Sequence, residues 1–194
     1  MAKNQFRERL AKLSPAQRAL LEQRLKQMRA TLPAEPSIPR RPTRDSPPLS
    51  FAQQRLWFLN QLEPESPEYN ESITKRLIGS LDVSALEAAV NRIVARHEVL
   101  RTAIVLVDGT PQQLIAPSRK LYLPVIDLRA GAAKDRDGEA LRLIVETIRR
   151  PFDLSRDLML RVLLLRLADR EYILLLVKHH VASDGWSMGF SGKN

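Results

Sequence analysis

Two adjacent histidines, His179 and His180, followed by the carboxylate of Asp184 and then by Gly185, are the residues of this chain best suited to chemistry. An imidazole has an unperturbed pKa of about 6.5, so it can accept or return a proton near neutral pH. The pair closes an apolar run, residues 172–178, that reads as a β-strand. Successive side chains of a strand point to opposite faces, so only one of the two histidines can face a given cleft. The other must be buried or structural. Asp184 can orient an imidazole directly, or hold the loop by pairing with an arginine. Gly185 marks a tight turn, because glycine enters backbone conformations closed to other residues. On residue types alone the pair is as consistent with a satisfied core pair as with a functional site. A metal centre is disfavoured, since His97 is the one further histidine and cysteine is absent.

The elements that must position these residues alternate irregularly along the chain. Ser50 caps a helix through Leu62 that carries Leu56, Trp57 and Leu59, and residues 71–78 read as a strand. Asp82 or Ser84 opens an amphipathic helix to about His97, with Leu86, Val90, Ile93 and Val94 on one face. Residues 102–107 and 112–115 form a hairpin around Asp108-Gly109, a strong turn signal. A strand follows at residues 122–126, then a helix from Asp137 to Arg150 closed by Pro151. Residues 158–167 and 172–178 are two strands rich in Leu, Val and Ile. Their near-continuous hydrophobicity marks central strands covered on both faces. The body is therefore α+β with a sheet core.

In front of it lies a segment of different composition. Ser14 and Pro15 begin a helix continued by Leu20, Leu21, Leu25 and Met28, with Arg18, Arg24, Lys26 and Arg29 around it. This helix either packs on the body as a solvated amphipathic element or docks to an acidic partner segment. Residues 31–48 hold six of the thirteen prolines and read as an extended, semi-rigid linker. The net charge of +9 is concentrated here: residues 1–48 carry +7 and the remainder only +2. A nucleic-acid reader would place its basic residues on a folded face, so nucleic acid is not expected as a partner. The lack of cysteine excludes disulfides and thiolate catalysis. No run approaches the roughly 20 apolar residues of a membrane span, and the first residues lack a signal-peptide core. A cytoplasmic location is expected.

Three stretches together carry a resemblance. His179-His180-Val181-Ala182-Ser183-Asp184-Gly185-Trp186-Ser187 resembles the HHxxxDGxS signature of nonribosomal peptide synthetase condensation domains. Residues 50–59, SFAQQRLWFL, resemble that family's opening SxAQxRLWxL motif, and residues 96–102, RHEVLRT, its RHExLRT motif. They occur in the family's order over about 140 residues. The resemblance implies a chloramphenicol acetyltransferase-like lobe, with a mixed central sheet flanked by helices and preceded by a helical leader. The implied organisation is a basic helical leader at 1–30, a Pro-rich linker at 31–48, and the N-terminal lobe of a condensation domain at 49–194, ending after the HHxxxDG motif.

The resemblance also implies an acyltransferase that forms an amide bond between an aminoacyl or peptidyl thioester and an acceptor amine. Both substrates ride on the phosphopantetheine arms of partner carrier proteins, and no cofactor is bound directly. His180 is then the active-site histidine, acting as base or by positioning the amine, and His179 its support. Asp184 is held by an arginine of the second motif, Arg96 or Arg101, and Gly185 lets the loop backbone approach the reacting centre. Arg55 and Trp57 are read as helix packing. The family's domain has two lobes with the histidine at their junction, so this chain alone is expected to be inactive without a second lobe. The alternative is a non-catalytic remnant or docking module of a synthetase.

Overall fold

The computed structural model describes residues 14–17, 19, 22–24, 46–117 and 119–183, and the chain divides into two compact units, 1–43 and 44–194. In the first unit, residues 15–17, 19 and 22–24 are helical. Ser14 Oγ accepts from the Gln17 amide at 3.3 Å while Gln17 Oε1 accepts from the Ser14 amide at 2.9 Å. This reciprocal cap satisfies two amide donors that the first turn leaves open. Leu20, Leu21, Leu25, Met28 and the prolines at 33–42 lie outside the described residues.

The second unit opens with Pro47 and Pro48 lying along a strand edge, where the Pro47 carbonyl accepts from the Gln113 amide at 3.2 Å. Helix α1, Phe51–Leu62, starts at a capping box between Ser50 and Gln53. Strand β1 covers Asn70–Ile78 and helix α2 covers Val83–Arg96, capped by the Asp82 side chain on the Ala85 amide. A 3-10 turn, Glu98–Arg101, leads into the hairpin of β2, Thr102–Val107, and β3, Thr110–Ile115. Asp108 and Gly109 both have positive φ, 50° and 74°. That is the two-residue turn whose twist matches the flanking strands. Strand β4, Val125–Asp127, helix α3, Ala133–Arg149, and strands β5, Leu160–Ala168, and β6, Glu171–His179, complete the unit. A second 3-10 turn, His180–Ala182, follows β6 directly.

The main sheet has the order β1-β6-β5-β4, antiparallel except for the parallel β4–β5 pair, and β2–β3 form a separate ribbon. It is thus a mixed sheet. Alternation along β5 divides its side chains between two clusters. Leu163, Leu165 and Leu167 pack with Leu175, Val177, Leu56 and Ala140, while Val162 and Leu164 pack with Val90, Val94, Leu121 and Leu123. Helices α1 and α3 therefore cover one face and α2 the other. The uninterrupted apolar runs of β5 and β6 are those of strands buried on both sides. Each wholly buried leucine contributes roughly 1.5–3 kcal/mol.

Three expectations shift. Ile93 is 49% exposed, because a step of about 100° per residue turns it off the line of Val90 and Val94. Helix α3 begins four residues before Asp137, at a start without any side-chain cap. The strand expected at 122–126 is reduced to Val125–Asp127. There Asn91 takes the place of a neighbouring strand: its Nδ2 donates to the Leu121 carbonyl at 2.9 Å and its Oδ1 accepts from the Leu121 amide at 2.8 Å. Leu121 and Leu123 still point inward, with only 4% and 2% exposure.

Candidate active site

The histidine pair stands where β6 runs out against β1. His179 is the last strand residue and pairs with Asn70. The His180 amide donates to the Tyr69 carbonyl at 2.8 Å, and the chain then coils into the 3-10 turn. This change of geometry sends the two rings into different surroundings.

His179 is 2% exposed. Its Nδ1 accepts from the Val181 amide at 3.1 Å, which leaves the ring proton on Nε2. The Phe152 ring meets it edge-on at 5.9 Å and the Tyr69 ring lies 6.3 Å away. Behind Phe152, the Arg161 guanidinium sits 3.6 Å over the ring centre. Burial, then the neighbouring His180 and Arg161 charges, push the His179 pKa down to about 4, and Glu71 opposes them. A ring that stays neutral at pH 7 and accepts a backbone hydrogen bond is a structural support for the turn that carries its neighbour.

The side chain of His180 is 38% exposed, and its Nδ1 lies 2.6 Å from Glu71 Oε1. The contact is short, but its geometry is not that of an aligned hydrogen bond. Glu71 comes from β1, directly opposite Lys178 in the register. Its other oxygen accepts from Lys178 Nζ at 2.9 Å and from Ser183 Oγ at 3.0 Å. Lys178 also donates to Ser183. Burial pushes the Glu71 carboxyl up, but the hydrogen bonds and charge of Lys178, Ser183 and His180 outweigh it and hold the group below the ordinary carboxylate range. Glu71 is therefore ionised at neutral pH. One imidazole, one carboxylate and one ammonium share a partly open site at the strand end.

Asp184 and Gly185 lie outside the described residues. The two arginines expected near Asp184 differ in setting. Arg96 is exposed in the last turn of α2. The Arg101 side chain is only 11% exposed; its Nη1 donates to the Ala116 carbonyl, Nη2 lies 3.6 Å from Glu98, and its buried Nε has no hydrogen-bond partner among the described residues. Trp57 packs on the core beside Leu56, whereas Arg55 is exposed. A cavity of about 700 Å³ lined by Lys120, Tyr122, Glu146, Arg149 and Leu160 includes neither histidine. Sequence reasoning missed Glu71, Lys178 and Ser183 as neighbours of His180. The sequence carries no local signal for Glu71, because only the β1–β6 register brings it there.

Comparison of the whole chain by family model, by sequence and by fold leads to one class of protein. A model of the condensation domain matches residues 43–193. The phosphinothricin tripeptide synthetase PhsC of Streptomyces viridochromogenes is 50% identical over 182 residues, covering 93% of this chain and 17% of the synthetase. The isonitrile lipopeptide synthase of Mycobacterium tuberculosis is 48% identical over 143 residues, covering 73% of this chain and 6% of that synthase. Among solved structures, the starter condensation domain of rhizomide synthetase RzmA superposes with a TM-score of 0.68 at 25% identity, covering 75% of this chain and 35% of that one. The first condensation domain of the calcium-dependent antibiotic synthetase, in complex with a substrate analogue, gives 0.66 at 27% identity, covering 74% and 34%.

The chain belongs to the condensation domain family of nonribosomal peptide synthetases. Its fold is the chloramphenicol acetyltransferase-like α+β lobe that the sequence motifs imply. It spans about a third of the solved condensation domains and less than a fifth of the synthetases. Among the described residues no helix is long and apolar enough to cross a membrane.

Proposed function

We propose that this chain supplies the histidine-bearing lobe of an amide-forming condensation domain, working in the cytoplasm on aminoacyl and peptidyl thioesters carried by phosphopantetheine arms of partner carrier proteins. The observation that carries the reading is the division of labour at the strand end. One histidine is buried and neutral, and the next stands half-open against an ionised carboxylate.

The reaction asks little covalent chemistry of the protein. The acceptor amine attacks the donor thioester carbonyl, the new C–N bond forms, and the C–S bond breaks to free the carrier thiol. The amine loses one proton in the process and the departing sulfur gains one. His180, as an imidazole within reach of solvent, either accepts that proton or holds the amine by a hydrogen bond while it attacks. Holding two tethered reactants together supplies much of the acceleration by itself. His179 keeps the turn in place through its bond to the Val181 amide. Asp184 is held by an arginine of the second motif, and Arg101 is favoured over Arg96 because it is buried with an Nε that finds no acceptor among the described residues, whereas Arg96 is exposed. Gly185 then allows the loop backbone close to the reacting carbonyl. The leader at 1–30 and the linker at 31–48 precede the catalytic lobe at 49–194.

The test is a condensation assay with donor and acceptor aminoacyl carrier proteins, reading dipeptidyl carrier by mass spectrometry. It is run with this chain alone, with a separately produced second lobe, and with His180→Ala. Product that requires both lobes and disappears in His180→Ala is the expected result. Product unaffected by His180→Ala removes the histidine from the mechanism. No product under any condition, with carrier binding retained, assigns the chain a docking role instead.

A further inference from the structure

We infer that Glu71 is a positioning residue for His180: its carboxylate accepts a hydrogen bond from Nδ1–H, keeps the ring proton on Nδ1, and so leaves Nε2 as the unprotonated nitrogen offered to the substrate amine. The inference rests on His180 being the reacting histidine proposed above. Three observations carry it. Glu71 Oε1 is 2.6 Å from Nδ1. That nitrogen is shielded from solvent and has no aligned hydrogen bond among the described residues, so Glu71 is the acceptor within its reach. Glu71 itself cannot swing away, because Lys178 and Ser183 both donate to its second oxygen.

A deprotonated Nδ1 at this distance would set its lone pair against those of a carboxylate oxygen, so the proton belongs between them. Sites without substrate commonly hold such pairs short of full alignment, and the bond tightens when substrate arrives. With Nδ1 protonated, the neutral ring has its lone pair on Nε2. This is the tautomer a base or hydrogen-bond acceptor needs, fixed by what the other nitrogen touches. The clamp thus turns an ion-pair network between β1, β6 and the following turn into a device that orients one imidazole.

The glutamine variant separates this role from simple cross-strand glue. Lys178 offers only donors, so it draws the amide oxygen of Glu71→Gln to itself. The amide NH2 is then left facing His180 Nδ1, where it donates, and the ring proton moves to Nε2. An isosteric replacement should therefore be worse than truncation. If Glu71 only tied the strands together, Glu71→Gln would keep most of the contacts and Glu71→Ala would be the more damaging change.

The experiment has two arms. Long-range nitrogen–proton NMR of the histidine rings is recorded on this chain at a pH where His180 is neutral, with its signals identified by their loss in His180→Ala. The expected result is a proton on Nδ1 in the native chain and on Nε2 in Glu71→Gln, with otherwise unchanged amide spectra. Amide formation with the second lobe supplied is the other arm. There kcat falls roughly 10²–10⁴-fold in Glu71→Gln and about 10-fold in Glu71→Ala, with KM changed by less than about twofold. A native His180 protonated on Nε2, or a glutamine variant with the native tautomer and near-native kcat, overturns the inference. If the native assembly forms no amide, or His180→Ala still does, the functional reading fails, and the NMR arm alone decides whether Glu71 sets the ring.

Discussion

Lowering the pH should weaken this fold through His179, in a window set by the two states of one ring. In the unfolded chain the imidazole titrates near 6.5, and in the fold near 4. Below 6.5 the unfolded state binds a proton that the native state refuses, so native stability falls as pH falls, and the loss is complete below about 4. At about 1.36 kcal/mol per pKa unit, the whole effect is about 3 kcal/mol. The variant His179→Asn isolates it. Its amide oxygen stands where Nδ1 accepts from Val181, so the turn keeps its bond, and it does not titrate. Loss of ring contacts with Phe152 and Tyr69 makes the variant less stable than the native chain at pH 7 by about 2 kcal/mol. Urea unfolding followed by circular dichroism between pH 7 and 4 measures the gap between the two proteins. Carboxylates such as Glu71 and Asp153 titrate in both proteins and cancel in the comparison. The gap should close, and reverse, as pH drops from 6.5 to 4. Parallel curves across that range would show that the native ring protonates as readily as the unfolded one, and the account of His179 as a buried neutral support would be wrong.

Two further tests probe the frame that holds the site. Asn91→Ala strips partners from both the amide and the carbonyl of Leu121 and should cost about 2–3 kcal/mol in urea unfolding, against under 1 kcal/mol if water replaces the side chain. Gly109→Ala places a side chain at φ 74°, where the added carbon meets nothing within 4 Å, so its cost of about 1 kcal/mol comes from the backbone alone. A neutral result there would mean that the hairpin turn relaxes.

Local signals in the sequence reached their elements with little error, and non-local ones did not. Ser50, Asp82, and Asp108-Gly109 each act within a few residues of themselves, and helix α1, helix α2 and the β2–β3 turn stand where those residues place them. Strands β5 and β6 were legible because burial on both faces imposes a continuous apolar run. The start of α3 was not, since Ala132 offers no side chain to announce it. The strand expected at residues 122–126 was overextended because Asn91, 30 residues earlier, takes the Leu121 hydrogen bonds. Strand alternation anticipated that one histidine would be buried and the other open, but His180 lies past the strand end, and the 3-10 turn is what separates the two rings. Glu71 was visible only as the first polar residue of a strand, and nothing near it in sequence says that it will meet Lys178 and Ser183.

The antiparallel pairing of β1 with β6 also governs when the site can exist. Glu71 and Ser183 are 112 residues apart, and each contact that Glu71 makes with Lys178, His180 and Ser183 joins those two parts of the lobe. Closing so long a loop is entropically costly, and contacts of large sequence separation form slowly. While the ribosome is still making β5, β1 waits with both edges unpaired, a template for wrong partners. The capped helices and the hairpin can form early, but Glu71 and His180 meet only after the last central strand has been threaded into place. The Glu71–His180 contact is therefore a late event in the life of each molecule, reserved for lobes that have already folded.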